Sequence, residues 1–225
     1  MYDLLDFKVG RHMNNILVYS DSLSWGIIPG SRNRLEFNRR WPGVMEIALQ
    51  ETGLPVRVIE DCLNGRRTVW DDPFKPGRRG IDHLAQSVEI NSPLALALVM
   101  LGTNDLQNMH NNNAWHAAQG VAALLETIRQ APIEPSMPTP KLLVVAPPLI
   151  EAVKGAMTNK FSGVELRCQG LPKFLQEVAE QNQCYFFDSN SVVTASKVDG
   201  VHLDAAEHSV LGKQLAQYVR EILKE

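Results

Sequence analysis

The sequence predicts an α/β fold, a parallel sheet covered by helices on both faces and joined by right-handed crossovers. Two observations predict it. Five short runs, 16–19, 56–60, 94–100, 142–146 and 185–187, are nearly unbroken in apolar or β-favouring residues, as strands buried on both faces should be. They alternate with stretches at 42–51, 81–87, 114–129, 163–181 and 205–224, in which apolar residues recur every three or four positions and predict helices.

Taken in order, several of these runs deliver polar residues where a strand should end. Ile16-Leu17-Val18-Tyr19 leads into Ser20-Asp21-Ser22-Leu23-Ser24-Trp25-Gly26, a strand ending on a serine held in a turn. The run at 56–60 is followed by Asn64-Gly65, where a glycine lets a backbone N–H approach a ligand without steric cost. The run at 94–100 continues through Leu101 into Gly102-Thr103-Asn104-Asp105. Segment 132–140, with four prolines, makes a rigid approach to the fourth strand. Near the C-terminus stands Asp199-Gly200-Val201-His202.

These blocks suit nucleophilic catalysis. A free hydroxyl is a poor nucleophile at neutral pH, so Ser22 needs a histidine to take its proton, an acid to orient that histidine, and donors for the oxyanion. The Asp199-x-x-His202 spacing can set a carboxylate against one imidazole nitrogen while the other faces away. Asn104, at the end of the third strand, is a plausible amide donor. Open α/β sheets bind ligands at the C-terminal ends of their strands, and three of the four blocks fall there.

In these blocks the chain resembles the GDSL-type or SGNH serine hydrolases, whose serine, glycine, asparagine and histidine match Ser22, Gly65, Asn104 and His202, with Asp199 completing a triad. The resemblance runs from about Asn15 to the C-terminus. It implies a three-layer α/β/α sandwich with a flavodoxin-like five-stranded parallel sheet. It also implies an ester hydrolase in which Ser22 attacks, His202 is the base, and the oxyanion is held by Asn104 and the backbone N–H groups of Gly65 and Ser22. Ser24-Trp25-Gly26 makes the chain most similar to the arylesterase and acyltransferase branch, which implies short acyl or aryl esters and a homo-oligomer. One departure from the family pattern is Ser20, where the family has glycine, and a change in packing or substrate access is expected there.

The same residues would serve a carbohydrate O-acetyl esterase, a lysophospholipase or a thioesterase, and a carbohydrate-binding α/β module is the non-enzymatic rival. A nucleotide-binding module is disfavoured, because neither a Gly-x-Gly-x-x-Gly after the first strand nor a phosphate-binding Gly-x-x-x-x-Gly-Lys-Ser/Thr occurs. The mechanism calls for no metal or organic cofactor.

The 225 residues suffice for one domain, taken as 13–225, with residues 1–12 read as an N-terminal extension or a remnant of cloning. A 44% hydrophobic and 21% charged composition is that of a soluble globular chain, and a net charge of −3 argues against nucleic acid and anionic membranes as partners. Cys62, Cys168 and Cys184 are widely spaced and lack neighbouring histidines, so free thiols are expected and a zinc site is not. With no membrane span or secretory leader in the pattern, a cytoplasmic location and a small-molecule ester substrate are expected.

Around the blocks, loops 29–40 and 68–80 are placed to rim a pocket or meet another subunit. Trp25 is a candidate for the substrate pocket, and Arg66 and Arg67 are expected to pair with Asp71 or Asp72.

Overall fold

A computed structural model describes residues 13–225, so the proposed extension at 1–12 lies outside the described residues. Strands β1 (Asn14–Ser20), β2 (Val56–Cys62), β3 (Leu96–Met100), β4 (Lys141–Ala146) and β5 (Tyr185–Asp188) form one parallel sheet in the order β2-β1-β3-β4-β5. The chain leaves β1 for one side of the sheet and then crosses to the other, so the connections after β1 and β3 diverge. That divergence opens a crevice above the C-terminal end of β1.

Side chains alternate across the sheet and fill two cores. Ile16 and Val18 of β1, with Leu96 and Leu98 of β3, face helices α2 (Trp41–Glu51) and α7 (Ala205–Ile222), which contribute Trp41, Met45, Leu49, Leu211, Leu215 and Val219. Leu17 and Tyr19, with Ala97 and Val99, face α3 (Ile81–Asn91), α4 (Ala114–Arg129) and α6 (Leu171–Gln181). Each side chain of this size stabilises the fold by roughly 1.5–3 kcal/mol on leaving water, so the central strands are held by both layers. Asn113 starts α4 with a reciprocal cap: its Oδ1 accepts from His116 N and its own N–H donates to His116 Nδ1.

The helix expected over 163–181 is two helices. A short α5 (Val164–Arg167) ends at Cys168, Gly170 turns left-handed at φ 78°, and Pro172 occupies the first turn of α6. The apolar period runs through 168–171, but the backbone does not follow it. Ser22, expected in a turn, opens a single helical turn, α1 (Ser22–Trp25), closed by Gly26.

Ser20 ends β1 fully buried. Its Oγ donates to Met100 O at 2.7 Å and accepts from Ser24 Oγ at 2.6 Å, and Ser24 Oγ also accepts from Trp41 Nε1 at 3.1 Å. A hydroxyl where the family has glycine thus ties α1 to β3 and α2. The change is one of packing, and Ser20 does not reach the cleft.

Candidate active site

Above the end of β1, Asp21 caps α1: its Oδ1 accepts from Leu23 N at 2.9 Å and its carbonyl from Trp25 N at 3.0 Å. Ser22 therefore stands at the first helical position, where a backbone N–H has no partner within the helix. Its Oγ lies 3.1 Å from His202 Nε2. His202 Nδ1 lies 2.7 Å from Asp199 Oδ2, whose other oxygen accepts from Val201 N and His202 N, each at 3.0 Å. A proton on Nδ1, shared with Asp199, leaves the Nε2 lone pair facing the Ser22 hydroxyl.

The Asp199–His202 loop is pinned in place. Gly200 O accepts from Glu151 N, Asp199 O from Lys154 N, and His202 O from Ser196 N. Burial pushes the Asp199 carboxyl up, but the His202 ring and the two loop amides outweigh it and hold the group below its ordinary value. Among the other described histidines, His83 is exposed, His110 contacts Asp71 O, and His116 caps α4. His208 is buried, accepts from Trp41 N, and is pushed down to about 3 by burial together with His202 and Arg40.

Gly65 and Asn104 line the same cleft as Ser22 and His202, an open space of about 480 Å³. Gly65 sits at φ 82° with its N–H unpaired among the described residues. A Cβ there would find 3.9 Å of clearance to Arg78, so the backbone angle, rather than space, is what calls for glycine. Asn104 lies in a 3₁₀ turn (Thr103–Leu106) after β3. Its Nδ2 donates to Asp21 Oδ2 at 2.8 Å, which leaves the second hydrogen for the cleft.

Sequence reasoning missed what orients that amide. Asn104 Oδ1 accepts from Gln107 Nε2 at 2.9 Å, and Gln107 Oε1 accepts from the buried Arg67 Nη2 at 2.9 Å. With Asp21 on one side and Gln107 on the other, only one assignment of the amide's oxygen and nitrogen satisfies both neighbours. Asp21 is fully buried, and burial raises its carboxyl to about 6 against the opposing pull of Leu23 N, His202, Asn104 and Arg66. Asp105 is raised by burial to about 7 and accepts from the Thr68 amide and hydroxyl, fixing loop 68–80 to the base of the cleft. The position of Asp21 beside Ser22 and the three-residue step from Asn104 to Gln107 were the available signals, but neither implies a contact.

Two expectations are corrected or divided. Trp25 does not line the cleft; the Arg34 guanidinium stacks on its ring at 4.8 Å from the centroid while Arg34 Nε donates to Trp25 O. Arg67 pairs with Asp72 at 3.6 Å, but Arg66 turns to Asp61 at 2.6 Å and lies over the Tyr19 ring. Loops 29–40 and 68–80 do rim the cleft, through Arg32, Asp72 and Lys75. Cys62, Cys168 and Cys184 are free thiols.

One sheet between two layers of helices, with Ser22, His202 and Asp199 drawn together above its strand ends, defines the class of α/β serine ester hydrolases. The chain belongs to the GDSL-like lipase/acylhydrolase family, whose model matches residues 21–210. The inhibitor-bound aryl esterase of M. smegmatis is 31% identical, with a TM-score of 0.88 over 93% of this chain and 99% of that one. A carbohydrate acetylesterase family member from Sinorhizobium meliloti is 32% identical, with a TM-score of 0.88 over 95% and 100%. Est24, a carbohydrate acetylesterase of the same organism, is 28% identical, with a TM-score of 0.87 over 93% and 99%. No curated protein matches the chain. The protein is a carboxylic ester hydrolase with the SGNH hydrolase fold.

Proposed function

We propose that residues 13–225 act as one hydrolase domain on short-chain acyl or aryl esters through an acyl-enzyme on Ser22. The observation that carries this reading is the Ser22–His202–Asp199 chain of contacts, 3.1 and 2.7 Å long, at the mouth of a cleft lined by Gly65 and Asn104. His202 Nε2 takes the hydroxyl proton as Ser22 Oγ bonds to the ester carbonyl carbon. The carbonyl oxygen takes up negative charge facing Ser22 N, Gly65 N and Asn104 Nδ2. As the tetrahedral intermediate collapses, His202 returns the proton to the departing alkoxide. Water activated by the same histidine then cleaves the acyl-enzyme, and an alcohol in its place completes acyl transfer. Asp199 stays ionised throughout and stabilises the imidazolium.

A carbohydrate O-acetyl ester is the second reading, supported by the likeness to the Sinorhizobium meliloti structures and by the polar side chains of Asn64 and Gln107 in the cleft. A panel of acyl lengths and leaving groups separates the two.

A sulfonyl fluoride should inactivate the enzyme, mass spectrometry should place the adduct on Ser22, and a chelator should leave turnover unchanged. An adduct on any other residue would overturn the assignment.

Cytoplasmic work as a homo-oligomer is part of the same proposal. Free thiols support the compartment. Phe74, 82% exposed on loop 68–80, supports a subunit contact there. Light scattering at micromolar concentration should give a mass above 25.1 kDa; a monomer would remove that part. No described helix is long and apolar enough to cross a membrane.

A further inference from the structure

Positive charge is concentrated around Ser22 although the whole chain carries a net charge of −3. Arg32, Lys75 and Lys160 line the cleft, against one carboxylate, Asp72. That carboxylate is already engaged by the buried Arg67 guanidinium at 3.6 Å. Asp199, which faces the adjoining lobe, is held by His202. Among the described residues none of the three cations forms a salt bridge.

The cations also crowd one another. The Lys75 ammonium is held below its ordinary value, first by partial burial and then by Arg78, Lys160 and Arg32, with Asp72 opposing. Such a cluster is self-repelling, and an anion placed among its members relieves the repulsion. Arg32 is held there at a structural cost. Its backbone is left-handed at φ 61°, at the tip of a turn in which Ser31 N and Arg32 N both donate to Ile28 O. Strained non-glycine residues of this kind persist where the surroundings over-determine them and gather at binding sites. A neutral short ester offers this cluster no charge to neutralise.

Resting on the ester-hydrolase reading above, we propose that the cleft takes esters bearing a carboxylate, bound by Arg32, Lys75 and Lys160 while Ser22 attacks the ester carbonyl. The carboxylate belongs to the acyl chain or to the alcohol, and two matched pairs distinguish these. Monomethyl glutarate against methyl pentanoate tests the acyl side. 4-Acetoxybenzoate against phenyl acetate tests the leaving group. Each charged-to-neutral ratio of kcat/KM is divided by the corresponding ratio for neutral hydroxylamine at the same ionic strength, which removes intrinsic reactivity without adding a charge–charge contribution of its own.

The normalised ratio should exceed one by about 5- to 30-fold in one pair at low ionic strength and should fall as salt is added. Lys75→Gln combined with Lys160→Gln should lower it about 3- to 10-fold. Lys173→Gln, on the far exposed face of α6 beside Glu177, should leave it unmoved. Ratios at or below one in both pairs, or a ratio indifferent to salt and to the two lysines, would overturn the inference while leaving the hydrolase standing. No turnover of any of the four esters would overturn the hydrolase reading and this inference with it.

Discussion

Ser22→Ala is expected to lower kcat by about 10⁴- to 10⁶-fold, and His202→Ala by a similar factor. Measured on a short aryl ester, the double variant should be little worse than either single one, because the hydroxyl and the imidazole act as one unit across their 3.1 Å contact. The fold should survive both changes. Ser22 is 8% exposed at the head of a single helical turn, and the hydroxyls that anchor that turn are those of Ser20 and Ser24. Unchanged circular dichroism with lost turnover is the supporting result. A soluble, folded Ser22→Ala retaining more than a few per cent of activity would refute the nucleophile.

Asn104→Ala is expected to cost about 10²- to 10³-fold in kcat, about 3–4 kcal/mol of transition-state stabilisation, with KM much less affected. The asymmetry follows from the role proposed for the amide, which meets its full charge only when the carbonyl oxygen becomes an oxyanion. Removing the side chain also leaves Asp21 Oδ2 and Gln107 Nε2 without their partner. Part of the loss will therefore appear as lowered thermal stability, and kcat measured well below the variant's own Tm separates the two effects. Activity of Asn104→Ala within a few-fold of the parent would exclude the amide from the oxyanion site.

The sheet was legible because its central strands are covered on both faces. Ile16 to Tyr19 and Leu96 to Met100 leave no polar face, and such runs have few alternatives in a chain of this composition. The break at 168–171 was less legible, since the apolar period survives where the backbone turns. Ser22, Gly65, Asn104, Asp199 and His202 could be picked out from local signals, a strand end or a short spacing. The path through Asp21, Asn104, Gln107 and Arg67 could not be, because Asp21 and Asn104 are 83 residues apart and meet only after β1 and β3 pair. Trp25 illustrates the opposite error: sequence adjacency to Ser22 says nothing of direction, and the one-turn helix carries its ring away from the cleft.

The Asp199–His202 loop rests on the segment that follows β4, through Glu151 and Lys154, and reaches a serine 180 positions earlier in the chain. Contacts at that separation carry a large loop-closure entropy and are rewarded late in folding. Hydrophobic collapse and pairing of β1 with β2 and β3 therefore need not assemble the base beside the nucleophile. Recovery of esterase activity during refolding is therefore expected to report the docking of the Asp199–His202 loop, and to lag the return of ellipticity when the two are followed side by side.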